Sequence, residues 1–272
     1  MAKVVLITGA TSGMGKVTAG FLAENGYIVY AGSRQKVFSS ENTHKNLHYV
    51  YLDVTKTDSV KDVVNRIIAD EGHIDVLVNN AGYGLVSTVE DATDEEMSRQ
   101  FDVNVLGLLK VTREVLPHMR ETKNGVIINI SSFLGKMGLP LLAHYNASKY
   151  AVDGIVDSLR FETLPFNIRV HAIQSGLFGT NFVKKGLVVN QKTTSEDSPY
   201  YALVSHFVPI VAQAINEGPD PKPIAETVKM IIEDENADIF IPVGKEAETF
   251  VPLRKVLSDK AFEQKIKETF GI

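Results

Sequence analysis

Short apolar runs rich in β-branched residues alternate along the chain with longer segments whose apolar residues recur at helical spacing. Runs such as KVVLITG, YIVYAGS and NGVIINISS are mostly apolar instead of alternating with polar residues. Such runs are typical of parallel strands buried on both faces. The alternation therefore predicts an α/β fold, a single Rossmann-type doubly wound domain over 1–272 with a mostly parallel seven-stranded sheet and helices on both faces.

Composition fits one large core and excludes several classes of protein. The chain has 272 residues, 44% of them hydrophobic, and a net charge of −5 with no basic block, which argues against a nucleic-acid partner. It has no cysteine, which excludes disulfides and thiolate chemistry. The start MAKVVLITG resembles neither a signal peptide nor a membrane span, so we expect a cytoplasmic protein with no membrane contact.

A glycine-rich turn, TGATSGMG, lies between the first predicted strand and the first predicted helix. Glycines permit a tight turn and the close approach of a pyrophosphate, which the helix N-terminus attracts. The turn predicts a dinucleotide site, although a glycine turn without a ligand is the alternative. The predicted contacts are Gly9, Thr11, Ser12, Gly13, Met14 and Gly15.

The end of the second strand indicates which dinucleotide is preferred. NAD sites usually place an acid here for the ribose 2′-hydroxyl. The segment YIVYAGSRQK has no acid and offers Ser33, Arg34 and Lys36 instead. A guanidinium suits a 2′-phosphate, so we expect NADP(H) to be preferred over NAD(H). The alternative is that Arg34 is an ordinary solvated residue.

The stretch YNASK places Tyr145 and Lys149 four residues apart. On a helix the two side chains share a face. A nearby ammonium favours the phenolate and lowers the pKa of the phenol, which prepares it for acid–base work. An unrelated surface pair is the alternative for this motif taken alone.

Four motifs occur in order: TGATSGMG, NNAG at Asn79 to Gly82, ISS at the end of the fifth strand, and YNASK. Together they resemble the classical branch of the short-chain dehydrogenase/reductase family, and the resemblance covers nearly the whole chain. It implies an NADP(H)-dependent enzyme that interconverts a small-molecule carbonyl and a primary or secondary alcohol. Its pattern also hints at a hydrophobic or bulky substrate.

The resemblance implies roles for four catalytic residues. Tyr145 would be the proton donor and acceptor, and Lys149 its pKa modulator and a ligand of the nicotinamide ribose. Ser132, thirteen residues before Tyr145, would hold the substrate oxygen. Asn104 would hold a water that links Lys149 to solvent, although a helix-interior Asn bonded to its neighbours is the alternative. We find no metal-ligand cluster.

Further cofactor contacts follow from the same resemblance. One departure is Ser175, where the family often has proline, and it predicts a looser turn. For Asp53, the alternative is a helix-capping or turn residue. For NNAG, the alternative is a largely structural role in the sheet. The implied contacts are Asp53, Val54, Asn80, Ala81, Gly82, Tyr145, Lys149, Gly176 and Thr180.

The segment at about 177–221 is predicted to be a substrate lid, followed by a helical tail at 245–272. Its apolar residues could line a pocket or pack a helix pair; they are Phe178, Phe182, Leu187, Val188, Tyr200, Tyr201, Phe207 and Ile210. After Ser132, Met137 and Leu139 are further possible lining residues.

Other functions remain open. A 3-oxoacyl-thioester reductase would need a basic patch, for which Lys184 and Lys185 are the only nearby pair. A non-enzymatic NADP(H)-sensing protein, an isomerase or a dehydratase would be expected to lose part of the catalytic set. The family is mostly dimeric or tetrameric, so a homodimer or homotetramer is expected. Its faces would be the helices at Glu95–His118 and Tyr145–Leu164, with a stripe of Gly154, Ile155, Ser158 and Leu159.

Overall fold

Seven strands form one parallel sheet in the order β3-β2-β1-β4-β6-β7-β9, as the apolar runs predict. The computed structural model describes residues 2–35, 44–180 and 182–272, and of Lys184 and Lys185 only the backbone. Every strand pair in this sheet is parallel. The strands are β1 (Val4–Thr8), β2 (Ile28–Ser33), β3 (Leu47–Tyr51), β4 (Val76–Asn79), β6 (Gly125–Ser132), β7 (Ile168–Ser175) and β9 (Phe240–Val243).

Helices connect these strands and cover both faces of the sheet. Residues of α2, α4 and α5 pack into one buried apolar cluster with the sheet, and residues of α1 and α8 into another on the opposite face. The helices are α1 (Gly13–Glu24), α2 (Thr57–Glu71), α3 (Asp94–Phe101), α4 (Leu108–Thr122), α5 (Ala143–Thr163), α6 (Gln191–Thr194), α7 (Tyr201–Asn216), α8 (Lys222–Glu233), α9 (Lys245–Val256) and α10 (Asp259–Phe270).

The long helix predicted after Thr93 is interrupted. It begins with the expected capping box, in which Glu96 N donates to Thr93 Oγ1 at 3.2 Å and Thr93 N donates to Glu96 Oε2 at 3.0 Å. Between α3 and α4 the backbone widens into a π-helical segment, Asp102–Gly107. Such single-turn π segments often occur at functional sites.

A second, two-stranded sheet was not predicted. It pairs β5 (Gly84–Val86) with β8 (Leu187–Val189) in parallel. The pairing ties the start of the lid segment to the chain that follows β4. A third apolar cluster then joins α7 of the lid to α9 and α10 of the tail.

The lid segment leaves and rejoins the body of the protein at one point. Gly179 N donates to Pro219 O at 2.8 Å. A Cβ on Gly179 would lie 2.4 Å from Gly218 O, and one on Gly218 would lie 2.8 Å from Gly179 N. Only glycines allow the two backbones to come this close. We call this contact the glycine neck.

The predicted association stripe on α5 is only partly exposed. Gly154 and Ser158 lie at the surface, whereas Leu159 is buried in the core. The homodimer or homotetramer therefore remains a prediction. Among residues 2–35, 44–180 and 182–272, no helix has the length and apolarity needed to cross a membrane.

Candidate functional site

Two cavities meet at the carboxyl ends of the central strands, where doubly wound sheets bind ligands. The first, the polar cleft, has a volume of about 510 Å³. The second, the apolar pocket, has a volume of about 150 Å³. Five residues line both cavities: Met14, Tyr145, Ser175, Thr180 and Phe182. Fifteen predicted residues line the polar cleft: Gly9, Thr11, Ser12, Gly13, Met14, Ser33, Arg34, Asp53, Val54, Asn80, Ala81, Gly82, Tyr145, Lys149 and Thr180.

The glycine turn forms the floor of the polar cleft. Gly9 and Gly13 have positive φ values of +67° and +53°, a region that favours glycine. Asn80 holds the turn, because its Nδ2 donates to Thr8 O at 2.9 Å and to Gly9 O at 3.0 Å. Gly15 packs behind the turn, where a Cβ would lie 2.3 Å from Asn80 Nδ2, and does not line the cleft.

The N-terminus of α1 is left open toward the cleft. Its N-cap, Ser12, makes no side-chain capping bond, and the first turn carries no acidic residue. Backbone N–H groups and the positive end of the helix dipole are therefore free to attract an anion. A pyrophosphate-bearing dinucleotide fits this cradle.

At the end of β2, Ser33 and Arg34 line the cleft as predicted. The Ser33 hydroxyl accepts from Thr11 Oγ1 at 2.9 Å and from Gln35 N at 3.1 Å. Arg34 is exposed and makes no ion pair with any residue that the structure describes. Lys36 lies outside the described residues. Arg34 thus lines this end of the cleft, and no carboxylate of the described residues pairs with it.

Asp53 both lines the cleft and shapes a turn. Its Oδ1 accepts from Thr55 N at 3.0 Å and from Thr55 Oγ1 at 2.7 Å. In the NNAG segment, Asn80 N and Ala81 N both donate to Thr8 Oγ1, which fixes that turn against β1. Asp53 and the NNAG segment therefore both stabilise local turns, as the structural alternative expected, and line the polar cleft.

Tyr145 lies on α5, half-buried between the two cavities. Burial raises the pKa of Tyr145 to about 12, and a hydrogen bond with Ser132 opposes part of that rise. Ser132 ends β6 and lines the apolar pocket, and its hydroxyl also accepts from Leu134 N at 3.2 Å. The phenol and this hydroxyl therefore converge where the cavities join.

Burial dominates the pKa of Tyr145 in this structure, and the lowering of that pKa by Lys149 that YNASK indicates stays a prediction. Its ammonium donates to Ile130 O at 2.8 Å and lies 5.7 Å from the centroid of the Tyr145 ring. Burial lowers the pKa of Lys149 itself to about 8, against an opposing contribution from Asp153. Desolvation penalises the charged form of both groups. It outweighs the Ser132 hydrogen bond at Tyr145 and the negative charge of Asp153 at Lys149.

Asn104 occupies the π-helical segment. Its Oδ1 accepts from Tyr83 N at 3.0 Å, and its Nδ2 donates to Tyr83 O at 2.9 Å and to Ser148 Oγ at 3.0 Å. The side chain is thus bonded to its neighbours, which was the alternative considered for it. It joins the strand β5 region to α5 directly below Lys149, so a water-holding role remains a prediction.

Ser175 bonds the turn after β7 to the neighbouring strand, and the looser turn expected from the missing proline stays a prediction. Its hydroxyl donates to Ser131 O at 3.1 Å, and Gly176 N donates to Val243 O at 2.8 Å. The serine thus supplies a side-chain bond that proline lacks, and it anchors the turn to β6. Gly176 lines the apolar pocket and not the polar cleft.

The apolar pocket is built from β6, α7 and the turn after β7. Of the lid residues proposed from sequence, Phe178, Phe182, Leu187 and Phe207 line it. Val188, Tyr200, Tyr201 and Ile210 do not, and Met137 and Leu139 are buried in the third apolar cluster instead. Residues that sequence reasoning missed include Leu134, Leu142, Val208, Val211, Ala212 and Ile215.

Tyr83 is the main omission in the polar cleft. It follows NNAG directly, and Arg99 lies 5.8 Å from the centroid of its ring. Its position next to the motif was the one available signal. The side chains of Lys184 and Lys185, considered for a carrier-protein patch, lie outside the described residues. Among the residues that the structure describes, no cluster of His, Asp or Glu could hold a metal ion.

The family profile described as short chain dehydrogenase matches residues 3–187. The chain belongs to the short-chain dehydrogenase family. It is 38% identical over 259 residues to a 3-ketodihydrosphingosine reductase of Bacteroides thetaiotaomicron, which covers 95% of this chain and 91% of that protein.

Solved structures agree with this assignment. A short-chain dehydrogenase from Streptomyces avermitilis superposes with a TM-score of 0.83 and 30% identity, covering 99% of this chain and 98% of its own. ElxO with NADP bound superposes with a TM-score of 0.72 and 26% identity. The match covers 89% of this chain and 97% of the ElxO chain. The predicted family and fold are confirmed, and the protein is an oxidoreductase of the short-chain dehydrogenase family.

Proposed function

We propose that this short-chain dehydrogenase uses NADPH to reduce a ketone carried on an apolar chain to the corresponding secondary alcohol. The observation that carries the proposal is the apolar pocket, which opens beside Tyr145 and Ser132. Among the described residues, those lining it include no charged side chain. Such a lining suits an alkyl or acyl chain. The relative named as a 3-ketodihydrosphingosine reductase supports a keto lipid as the substrate class.

The polar cleft supports the choice of NADPH. A Ser33 hydroxyl and the exposed Arg34 guanidinium, which has no ion-pair partner among the described residues, are suited to a 2′-phosphate. The described end of β2 has no acid for a 2′-hydroxyl. Bound in this cleft, the nicotinamide would supply the hydride that is added to the carbonyl carbon. The chain's own residues then have to stabilise the oxygen and provide a proton.

Tyr145 is the proposed proton donor. With its pKa raised to about 12, the phenol is protonated at neutral pH and has a proton to donate, although burial makes it a weaker acid than a free phenol. The Ser132 hydroxyl would hydrogen-bond the same oxygen and stabilise its developing negative charge. Lys149, with a pKa of about 8, is mostly protonated at neutral pH and would return a proton toward the phenol. These assignments favour the reducing direction.

The first test is a cofactor titration of the wild type and of Arg34→Ala. We expect NADPH to bind more tightly than NADH, and the variant to lose about 10- to 100-fold in NADPH affinity, as for a charge-assisted hydrogen bond. NADH is the matched control, since its affinity should not change. Equal affinity of wild type for both cofactors would overturn the assignment to NADP(H).

The second test is a series of straight-chain ketones of increasing length with NADPH. Burial of each CH₂ contributes about 0.8 kcal/mol, so kcat/KM should rise severalfold per methylene and level off once the apolar pocket is filled. A flat series would contradict the substrate class. Activity with short polar ketones alone would contradict it as well, and would leave the cofactor assignment intact.

A further inference from the structure

A buried polar cluster lies next to Lys149, outside the set of residues used above. Asp153 follows Lys149 by four residues on α5, so the two share a helix face. Its side chain is only 4% exposed. Asp153 Oδ2 accepts from Gln174 Nε2 at 2.7 Å and lies 3.2 Å from Lys136 Nζ. We call Lys136, Asp153 and Gln174 the rear cluster.

The rear cluster comes from three separate elements. Asp153 is on α5, Gln174 is a fully buried residue of β7, and Lys136 follows the 3₁₀ turn at Phe133–Gly135. Lys136 is itself held over the ring of Phe240 at 4.8 Å from the centroid. A buried carboxylate is costly unless it has partners, and this one is provided with two donors.

We infer that Asp153, held by Gln174 and Lys136, is a positioning residue for Lys149, because its buried charge keeps the lysine ammonium protonated and available to the cofactor. Lys149 has the carbonyl of Ile130 as its one hydrogen-bond acceptor among the described residues, and no carboxylate in direct contact. Asp153, one helical turn from Lys149 on α5, supplies a negative charge without touching the ammonium. Its effect on the pKa of Lys149 opposes that of burial.

The other groups around Lys149 do not duplicate this charge. The strands packed against it present Ile130, Ser131 and Gln174, which do not titrate. Lys136 is a cation and acts in the opposite sense to Asp153. The remaining titratable residues in the polar cleft are Arg34, Asp53, Tyr83 and Tyr145. The pKa values of both tyrosines are raised, so neither loses its proton between pH 7 and 9.

The test measures NADPH binding by fluorescence titration between pH 7 and 9, without turnover. It rests on the proposed cofactor but not on the proposed substrate, so a failure of the ketone series leaves it standing. In wild type, affinity should fall as Lys149 loses its proton near pH 8. In Asp153→Asn the fall should begin at lower pH. A downward shift of one pKa unit would give about fivefold weaker binding than wild type at pH 8.

Two further variants distinguish a charge effect from a packing effect. Lys136→Met removes the cation, so the fall in affinity should move to higher pH, opposite to Asp153→Asn. Asp157→Asn makes the same chemical change one turn further along α5, where the carboxylate is 59% exposed, and its profile should match wild type. Shifts of opposite sign would establish the inference. Unchanged midpoints, or lower affinity at every pH in both variants, would overturn it.

Lys136→Met also tests the inference if Asp153→Asn does not fold. Its side chain is 32% exposed, so its loss is better tolerated than that of the buried carboxylate. If Asp153→Asn does not fold, a shift of the Lys136→Met profile to higher pH supports the inference, and an unshifted profile overturns it.

Discussion

The polar cleft and the apolar pocket share walls but are built in different ways. The cleft is formed mainly by backbone turns at strand ends, where Gly9, Gly13 and Asn80 fix the main chain. The pocket is formed by the side chains of residues such as Phe178, Phe207 and Ile215. Recognition by main-chain geometry depends on a few irreplaceable positions. Recognition by side-chain volume depends on many residues, each adjustable. Single substitutions should therefore lower cofactor affinity strongly in the cleft, whereas substitutions in the pocket should change which substrate is preferred.

The largest effect should come from removing the group at the junction of the two cavities. We expect Tyr145→Phe to lower kcat by about 10²- to 10⁴-fold, since it loses the proton donor but keeps the ring. NADPH and ketone affinities should stay within about threefold of wild type. Stopped-flow oxidation of NADPH measures the first quantity and titration the second.

Tyr150→Phe is the matched control for that variant. Tyr150 lies on the same helix, is 47% exposed and lines neither cavity. Its kcat should equal that of wild type. A Tyr145→Phe enzyme that retained more than a tenth of wild-type kcat would show that the junction does not carry the chemistry.

A single methyl group on the floor of the cleft should be the next most damaging change. Gly9→Ala requires a positive φ and places a Cβ 2.8 Å from Ala81 Cα. A non-glycine residue held there costs about 1–3 kcal/mol, so NADPH affinity should fall by about 5- to 150-fold. Gly20→Ala in α1, where a Cβ meets no atom within 4 Å, should instead stabilise the helix by about 0.5–1 kcal/mol.

Filling the apolar pocket should have a smaller and more selective effect. We expect Ala212→Phe to lower kcat/KM for the longest ketone by about tenfold and to shift the preference toward shorter chains. Ala202→Phe makes the same change at an exposed position of α7. NADPH affinity should be unchanged in both. A loss of NADPH binding in Ala212→Phe would mean that the two cavities are not independent.

Acidification should lower the free energy of unfolding, and this is the smallest of the expected effects. His171 lies on β7, four residues before Ser175, which lines both cavities. Burial lowers the pKa of His171 below its ordinary value near 6.5. The native state therefore binds fewer protons than the unfolded state, so this contribution to stability is present above about pH 6.5 and is lost as pH falls below it.

Chemical unfolding at pH 7.5 and 5.5 measures this contribution. His171→Gln should show a smaller loss of unfolding free energy on acidification than wild type. Its ring accepts a hydrogen bond from Arg169 at 3.3 Å and donates one from Nδ1 to Asp238 O, so protonation would break the first contact. An equal loss in wild type and variant would place the acid sensitivity elsewhere.

The cleft was largely predictable from sequence and the pocket was not. The turns of the cleft depend on residue types with local meaning, such as the glycines at the positive φ of Gly9 and Gly13. The lining of the pocket depends on which face of α7 turns inward. That helix is apolar on most of its surface and contains Pro209, so its pattern indicated neither its extent nor its orientation.

Three other features escaped prediction for physical reasons. The strands β5 and β8 have three residues each and pair across a separation of about a hundred residues, which no local pattern encodes. The π-helical segment around Asn104 keeps an apolar spacing close to that of an α-helix. The pKa of Tyr145 is governed by burial, which depends on the packing of the whole site and not on the spacing of YNASK.

The glycine neck holds the two ends of the lid segment next to each other. Because the chain enters and leaves the lid at Gly179 and Gly218, the two ends are joined whatever lies between them. Lengthening such a closed loop costs little free energy, about 0.6 kcal/mol per doubling. A grafted lid from a relative with another specificity should change substrate preference only in part, because Ser132, Leu134 and Leu142 outside the lid still line the apolar pocket.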